Sequence, residues 1–147
     1  MVHSNVFRRL ALVLFALLFA TVSTVPVQAQ GTVTIELTSL TLDGSGGLIV
    51  TGVLTCSEPG EAVVRGDADQ QVGRGDFVFG TGAVNDLMTC GPAGTTFTFP
   101  IPAQVWAFRS GRVNLTVLAH VCFPDFAICS SNGFGNLQGT FSVRPAR

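Results

Sequence analysis

The chain has 147 residues, with eight arginines, no lysine and nine acidic side chains, giving a formal net charge of −1. A nucleic-acid partner wants a basic face, and this balance does not supply one. The length suits one domain of ordinary size, large enough for a core and small enough to benefit from cross-links.

Residues 1–29 read as a cleaved export signal. Arg8 and Arg9 form a positive start, "LALVLFALLFA" is an unbroken apolar run, and "VQA" supplies small residues before a cut after Ala29. The run of about 11 residues is short of the roughly 20 a membrane helix needs, so no stable membrane insertion is expected after the cut. No cysteine precedes Cys56 to carry a lipid, and "GTFSVRPAR" has no apolar tail. Residues 30–147 are therefore expected as a single soluble domain outside the cytoplasm. That part holds six arginines and nine acids, a net charge of −3.

The remainder alternates short β-like runs with Gly, Pro, Asn and Asp, and no segment sustains a helical period. "TVTIELTSLTL" puts Val33, Ile35 and Leu37 on one side, and "DGSGG" is a turn. "LIVTGVLTC" places Leu48, Val50, Gly52, Leu54 and Cys56 in one phase, with Cys56 toward the core. "EPG" leads into "EAVVRGDA". A turn-rich patch, "DADQQVGRG", follows, and residues 73–76 are expected to turn the chain so that Phe77 or Phe79 re-enters the core. "DLMTCGPAG" and the extended "TTFTFPIPA" come next, then "RVNLTVLAHVC", where Val113, Leu115, Val117, Ala119 and Val121 share a face. "SSNGFGN" reads as a connection to the last strand, "LQGTFSVRP", with Leu137, Phe141 and Val143 inward. About seven strands without a crossover helix predict an all-β antiparallel sandwich, with a small closed barrel as the second choice. Trp106, the single tryptophan, is expected in the core.

Four cysteines, Cys56, Cys90, Cys122 and Cys129, predict two disulfides in an exported domain. Three pairings exist. Cys56–Cys90 with Cys122–Cys129 is favoured because the second pair brackets "CFPDFAIC", a loop that one turn can close. Cys56 with Cys122 fits poorly, since Cys122 is out of phase with its strand's apolar face. Zinc is disfavoured by the C-x6-C spacing.

The order "VTGVLTC", "GRG", "TCGPAGTTFTF", "SGRVNLTVLAHVC" and a second nearby cysteine resembles small secreted immunoglobulin-like domains of unknown function from high-GC bacteria. The resemblance covers about residues 33–143 and implies a seven-stranded immunoglobulin-like sandwich. In architecture alone the chain is also similar to the neocarzinostatin-type chromophore-binding apoproteins, whose ligand-contacting residues have no match here.

Side chains that carry chemistry are sparse. His120 is the single histidine after residue 29, in mid-strand, and no serine or cysteine stands beside it in a nucleophile signature. Asp67, Asp69 and Asp76, with Glu58 and Glu61, only faintly match a calcium loop, because the glycine comes late and the closing Glu is missing. There is no Tyr and one Trp to line a sugar groove. Asn114-Leu115-Thr116 spells an N-glycosylation pattern in a strand, where chance accounts for it. No metal or cofactor is expected. Two surface features remain. Phe123, Phe126 and Phe134 lie in or beside the disulfide loop, either as a sticky interaction patch or as a lid on the end of the core. Arg74-Gly75-Asp76 spells an adhesion tripeptide in an exposed turn. The resulting expectation is a non-catalytic module that binds a protein or surface through its end loops. The alternative is a carrier of a hydrophobic small molecule in a cleft between the sheets.

Overall fold

A computed structural model describes residues 31–145; the expected export signal and its cut lie outside the described residues. Eight strands and no helix are found among the described residues: β1 Val33–Leu42, β2 Leu48–Cys56, β3 Gly60–Gln71, β4 Phe77–Ala83, β5 Met88–Cys90, β6 Thr95–Ile101, β7 Gly111–Phe123 and β8 Ser131–Val143. Two antiparallel sheets pack face to face. One is β1-β2-β6, and the other is β4-β3-β7-β8 with β5 also on β3. This is a β-sandwich, with β3 and β7 at the middle of the larger sheet.

Alternation builds the core. Every second residue of β2 and of the long run of β7 is buried, and Phe97, Phe99 and Ile101 point inward from β6. The space between the sheets is filled by these side chains, with Phe99, Leu48, Leu54, Ile101 and Leu115 among the largest that are fully enclosed. β1 keeps its expected phase through Ile35. A bulge between Leu37 and Ser39 then shifts the register and brings Leu40 inward.

Three segments differ from expectation. "DADQQ" is strand rather than turn: Gly66, Ala68 and Gln70 continue the inward face of β3. Small residues and one glutamine mark that face, so no apolar period announces it. Gln70 is only 4% exposed, and its amide is satisfied. It accepts from the Arg109 N–H at 2.8 Å and donates to the carbonyls of Arg109 at 2.9 Å and Arg112 at 3.3 Å. "SNGFGN" is likewise the start of β8. A Cβ at Gly133 would lie 2.7 Å from the side chain of Val33, so the glycine serves close approach of β1 rather than a turn. Finally, residues 73–76 do turn, but Phe77 and Phe79 face solvent and Val78 is buried. Val72 N–H bonds Asp76 O at 3.0 Å, and this closure pairs Gln70 with Val78. Cross-strand partners share a face, so Val78 follows Gln70 inward.

The disulfides are Cys56–Cys90 and Cys122–Cys129. The first joins β2 of one sheet to β5 of the other. The second bends the chain after β7, and Cys122 is buried even though its position alternates outward.

The β1–β2 hairpin turns on Asp43. Its Oδ1 accepts from the Ser45 N–H at 2.8 Å, the Ser45 hydroxyl at 2.8 Å and the Gly47 N–H at 2.7 Å. Desolvation pushes the carboxyl up, but the hydrogen bonds from Ser45, Gly47 and Gly46 outweigh it and hold Asp43 below its ordinary value. A depressed folded pKa adds stability above the unfolded value and loses it as pH falls through the folded one. Asp43→Ala is therefore expected to lower the urea midpoint at pH 7, with the gap to wild type closing below about pH 4. Urea titrations at pH 7 and at acid pH check this; a gap that persists unchanged in acid removes the carboxylate as its cause.

Candidate functional site

The outer face of the five-stranded sheet carries a cluster that its inner face does not need. Register places Val63, His120 and Phe134 side by side on β3, β7 and β8, with Arg65, Leu118 and Asn136 in the next outward row. The His120 ring stacks on Phe134 with centroids 4.8 Å apart and planes 7° from parallel. Phe126 meets the same ring edge-on at 5.6 Å and 82°. The Nε2–H of His120 donates to Asn132 Oδ1 at 3.0 Å, which fixes the ring's rotation. These side chains border an open groove of about 460 Å³, lined chiefly by Val63, Arg65, Leu118, His120, Phe134 and Asn136.

The loop after β7 positions Phe126. Cys122–Cys129 closes it with Cα atoms 5.0 Å apart. Inside it, Glu61 Oε2 accepts the Phe126 N–H at 3.0 Å, and Asp125 Oδ1 accepts the Ile128 N–H at 2.7 Å. A loop fixed by a covalent bond and a carboxylate from β3 loses little freedom when something docks beside it.

The three phenylalanines in or beside the disulfide loop separate. Phe134 is 74% exposed and Phe126 half-buried, and His120 brings the two together. Phe123 is 3% exposed and belongs to the core, where its ring lies under Gly60 and Gly133. Of the two readings, the lid on the core holds for Phe123, which leaves the interaction patch without it. Trp106 is corrected in the opposite sense: it is 70% exposed, at φ +63°, in the loop between β6 and β7. That left-handed conformation costs a bulky side chain roughly 1–2 kcal/mol. It is held by anchors on both sides, Gln104 N–H to Phe79 O and Phe108 N–H to Gly46 O, each at 2.8 Å.

The remaining candidates stand apart. Arg74, Gly75 and Asp76 form an exposed turn with Gly75 at φ +91°, at the end of the sandwich opposite the aromatic cluster. Asp67 and Asp69 point outward from mid-β3, away from Glu58 and Glu61. Among the described residues, no three His, Cys, Asp or Glu side chains converge on a metal-sized site. Asn114 is tied into the sheet face, donating to Asp69 Oδ2 and accepting from the Thr140 hydroxyl, both at 2.9 Å. A second groove, of about 470 Å³, follows the seam between β1 and β8 beside Leu37, Leu40, Phe141 and Arg144.

Sequence reasoning missed Val63, Arg65, Leu118 and Asn136. Leu118 had a readable signal: it is an apolar residue in the otherwise polar phase of β7, between Thr116 and His120. Set against known proteins, the chain matches no family model, no curated protein and no solved structure.

Proposed function

We propose that the protein is a secreted, non-catalytic binding module that captures a protein partner through the groove beside His120. The observation that carries this is the His120–Phe134 stack with Phe126 at its edge: an aromatic platform left open to solvent beside a rigid, disulfide-closed loop. Exposed aromatic anchors next to an arginine are the composition of interaction hot spots. The chemistry that fits is a partner segment offering an apolar side chain to Leu118 and Phe134 and an acidic group to Arg65. Two disulfides accord with an oxidising compartment. The non-catalytic reading is supported by the bonding of His120, whose ring engages an amide and two phenylalanines rather than a hydroxyl or thiol nucleophile. The immunoglobulin-like resemblance and a bacterial source belong to this same proposal.

Selection from a displayed peptide library tests it. Enriched peptides should pair an apolar residue with an acidic one, and Phe134→Ala should weaken their binding by about tenfold or more. The same variant should lower folding stability by no more than about 1 kcal/mol, the size of a cross-strand aromatic pair on an exposed face. No enrichment, together with a small molecule retained by the secreted protein in native mass spectrometry, would replace this reading with the carrier.

A further inference from the structure

Charge is divided between the two ends of the sandwich. One end holds the β1–β2 turn, the β3–β4 turn, the loop between β6 and β7 and the close of β8. There Arg74, Arg109, Arg112 and Arg144 are all exposed. Its acids are Asp76, Asp43 and, one row inward from Arg112, Asp69; the Asp43 carboxylate is occupied by its own turn and that of Asp69 accepts from the Asn114 amide. Among the described residues, the other end holds Glu58, Glu61, Asp86 and Asp125 and no arginine.

The basic end also carries exposed apolar side chains: Phe77 at 43%, Phe79 at 53%, Val105 at 57% and Trp106 at 70%. Val105 and Trp106 form the tip of a loop whose flanks are fastened at Gln104, Phe108 and Arg109 to three different segments. The indole is thus presented outward by a braced backbone and does not fold back on the protein. Neither residue lines either of the grooves described above.

We propose that this end docks on the surface of an anionic lipid bilayer. Trp106 and Val105 enter the boundary between headgroups and acyl chains, and Arg74, Arg109 and Arg112 pair with lipid phosphates. An indole prefers that boundary because one edge is apolar and its N–H is polar. Guanidinium groups bind phosphate through paired N–H donors. A soluble polyanion would use the arginines alone and leaves a protruding valine and indole without a purpose. A bilayer surface, with an apolar layer behind its charges, takes up both. His120 lies eight residues along β7 from Arg112, roughly 25 Å from the bilayer, so the groove stays free when this end is docked.

Trp106 is the only tryptophan and the chain has no tyrosine, so intrinsic emission reports this tip alone. The exported chain is mixed with vesicles of phosphatidylglycerol and phosphatidylcholine, or of phosphatidylcholine alone, with variants treated identically. The expected result is a blue shift and co-sedimentation with anionic vesicles that weaken as salt rises. Arg74→Ala with Arg109→Ala should lower the partition coefficient roughly thirtyfold. Trp106→Gly suits the left-handed backbone, so it keeps the fold while removing the anchor, and its co-sedimentation should fall about tenfold. The proposal is overturned by unshifted emission on anionic vesicles, by undiminished binding of Trp106→Gly, or by an equal shift with soluble polyphosphate.

Discussion

Phe99→Ala is expected to cost about 3–5 kcal/mol of folding stability, a fall of roughly 2 M in the urea midpoint. Phe99 is 1% exposed, comes from the three-stranded sheet, and stacks on Phe97 with centroids 5.9 Å apart. Its ring spans the interior to reach β3 of the other sheet. There the position opposite is Gly66, where a Cβ would stand 2.8 Å from the ring's Cζ. Glycine at 66 is thus the socket for this ring. Truncation leaves a cavity bounded by two hydrogen-bonded sheets, neither of which can collapse far. The socket makes a second, sharper claim. Gly66→Ala should be destabilising in the wild type and milder beside Phe99→Leu, with a coupling of about 1 kcal/mol. Additive losses in that double-mutant cycle would show that ring and socket are not a fitted pair.

The same socket explains what could and could not be read in advance. β2 and β7 were legible because valine and leucine occupy their inward positions, and the phase of Cys56 and Cys122 followed from that alternation. β3 and β8 were not, because Gly60, Gly66, Gly133 and Gly135 stand inward where a ring or a neighbouring strand comes close. In a linear reading such glycines are indistinguishable from turn glycines, and both strands come out too short. Phe77 and Phe79 failed for a related reason. Their register is set by the turn closing at Asp76, and hydrophobicity alone points them the wrong way. For the candidate site, Phe126 and Phe134 were visible as residues near a disulfide. Their meeting on His120 required the pairing of His120 with Phe134 across β7 and β8, which no local pattern contains. The exposure of Trp106 depends on the three segments that brace its loop, and none of them is adjacent in sequence.

Removing the Cys56–Cys90 disulfide is the second large effect, expected at about 3–4 kcal/mol, against about 2–3 for Cys122–Cys129. The difference follows from the separations, 34 residues against 7, since a longer loop leaves the unfolded chain more freedom once it is cut. The first bridge also has a local task. β5 is three residues long and pairs with β3 only from Gly60 to Ala62. A strand so short is held by the sulfur bond to β2 and by the Cys56 N–H, which bonds Gly91 O at 3.2 Å. Cys56 and Cys90 are 0% and 4% exposed, so serine replacements would bury hydroxyls and add their own cost. The alanine pair Cys56→Ala with Cys90→Ala isolates the cross-link better. It should lower the urea midpoint more than Cys122→Ala with Cys129→Ala, and β5 amides should lose hydrogen-exchange protection before those of β7. An alanine pair at 56 and 90 that unfolds at the wild-type midpoint would mean that packing alone joins the two sheets at that end.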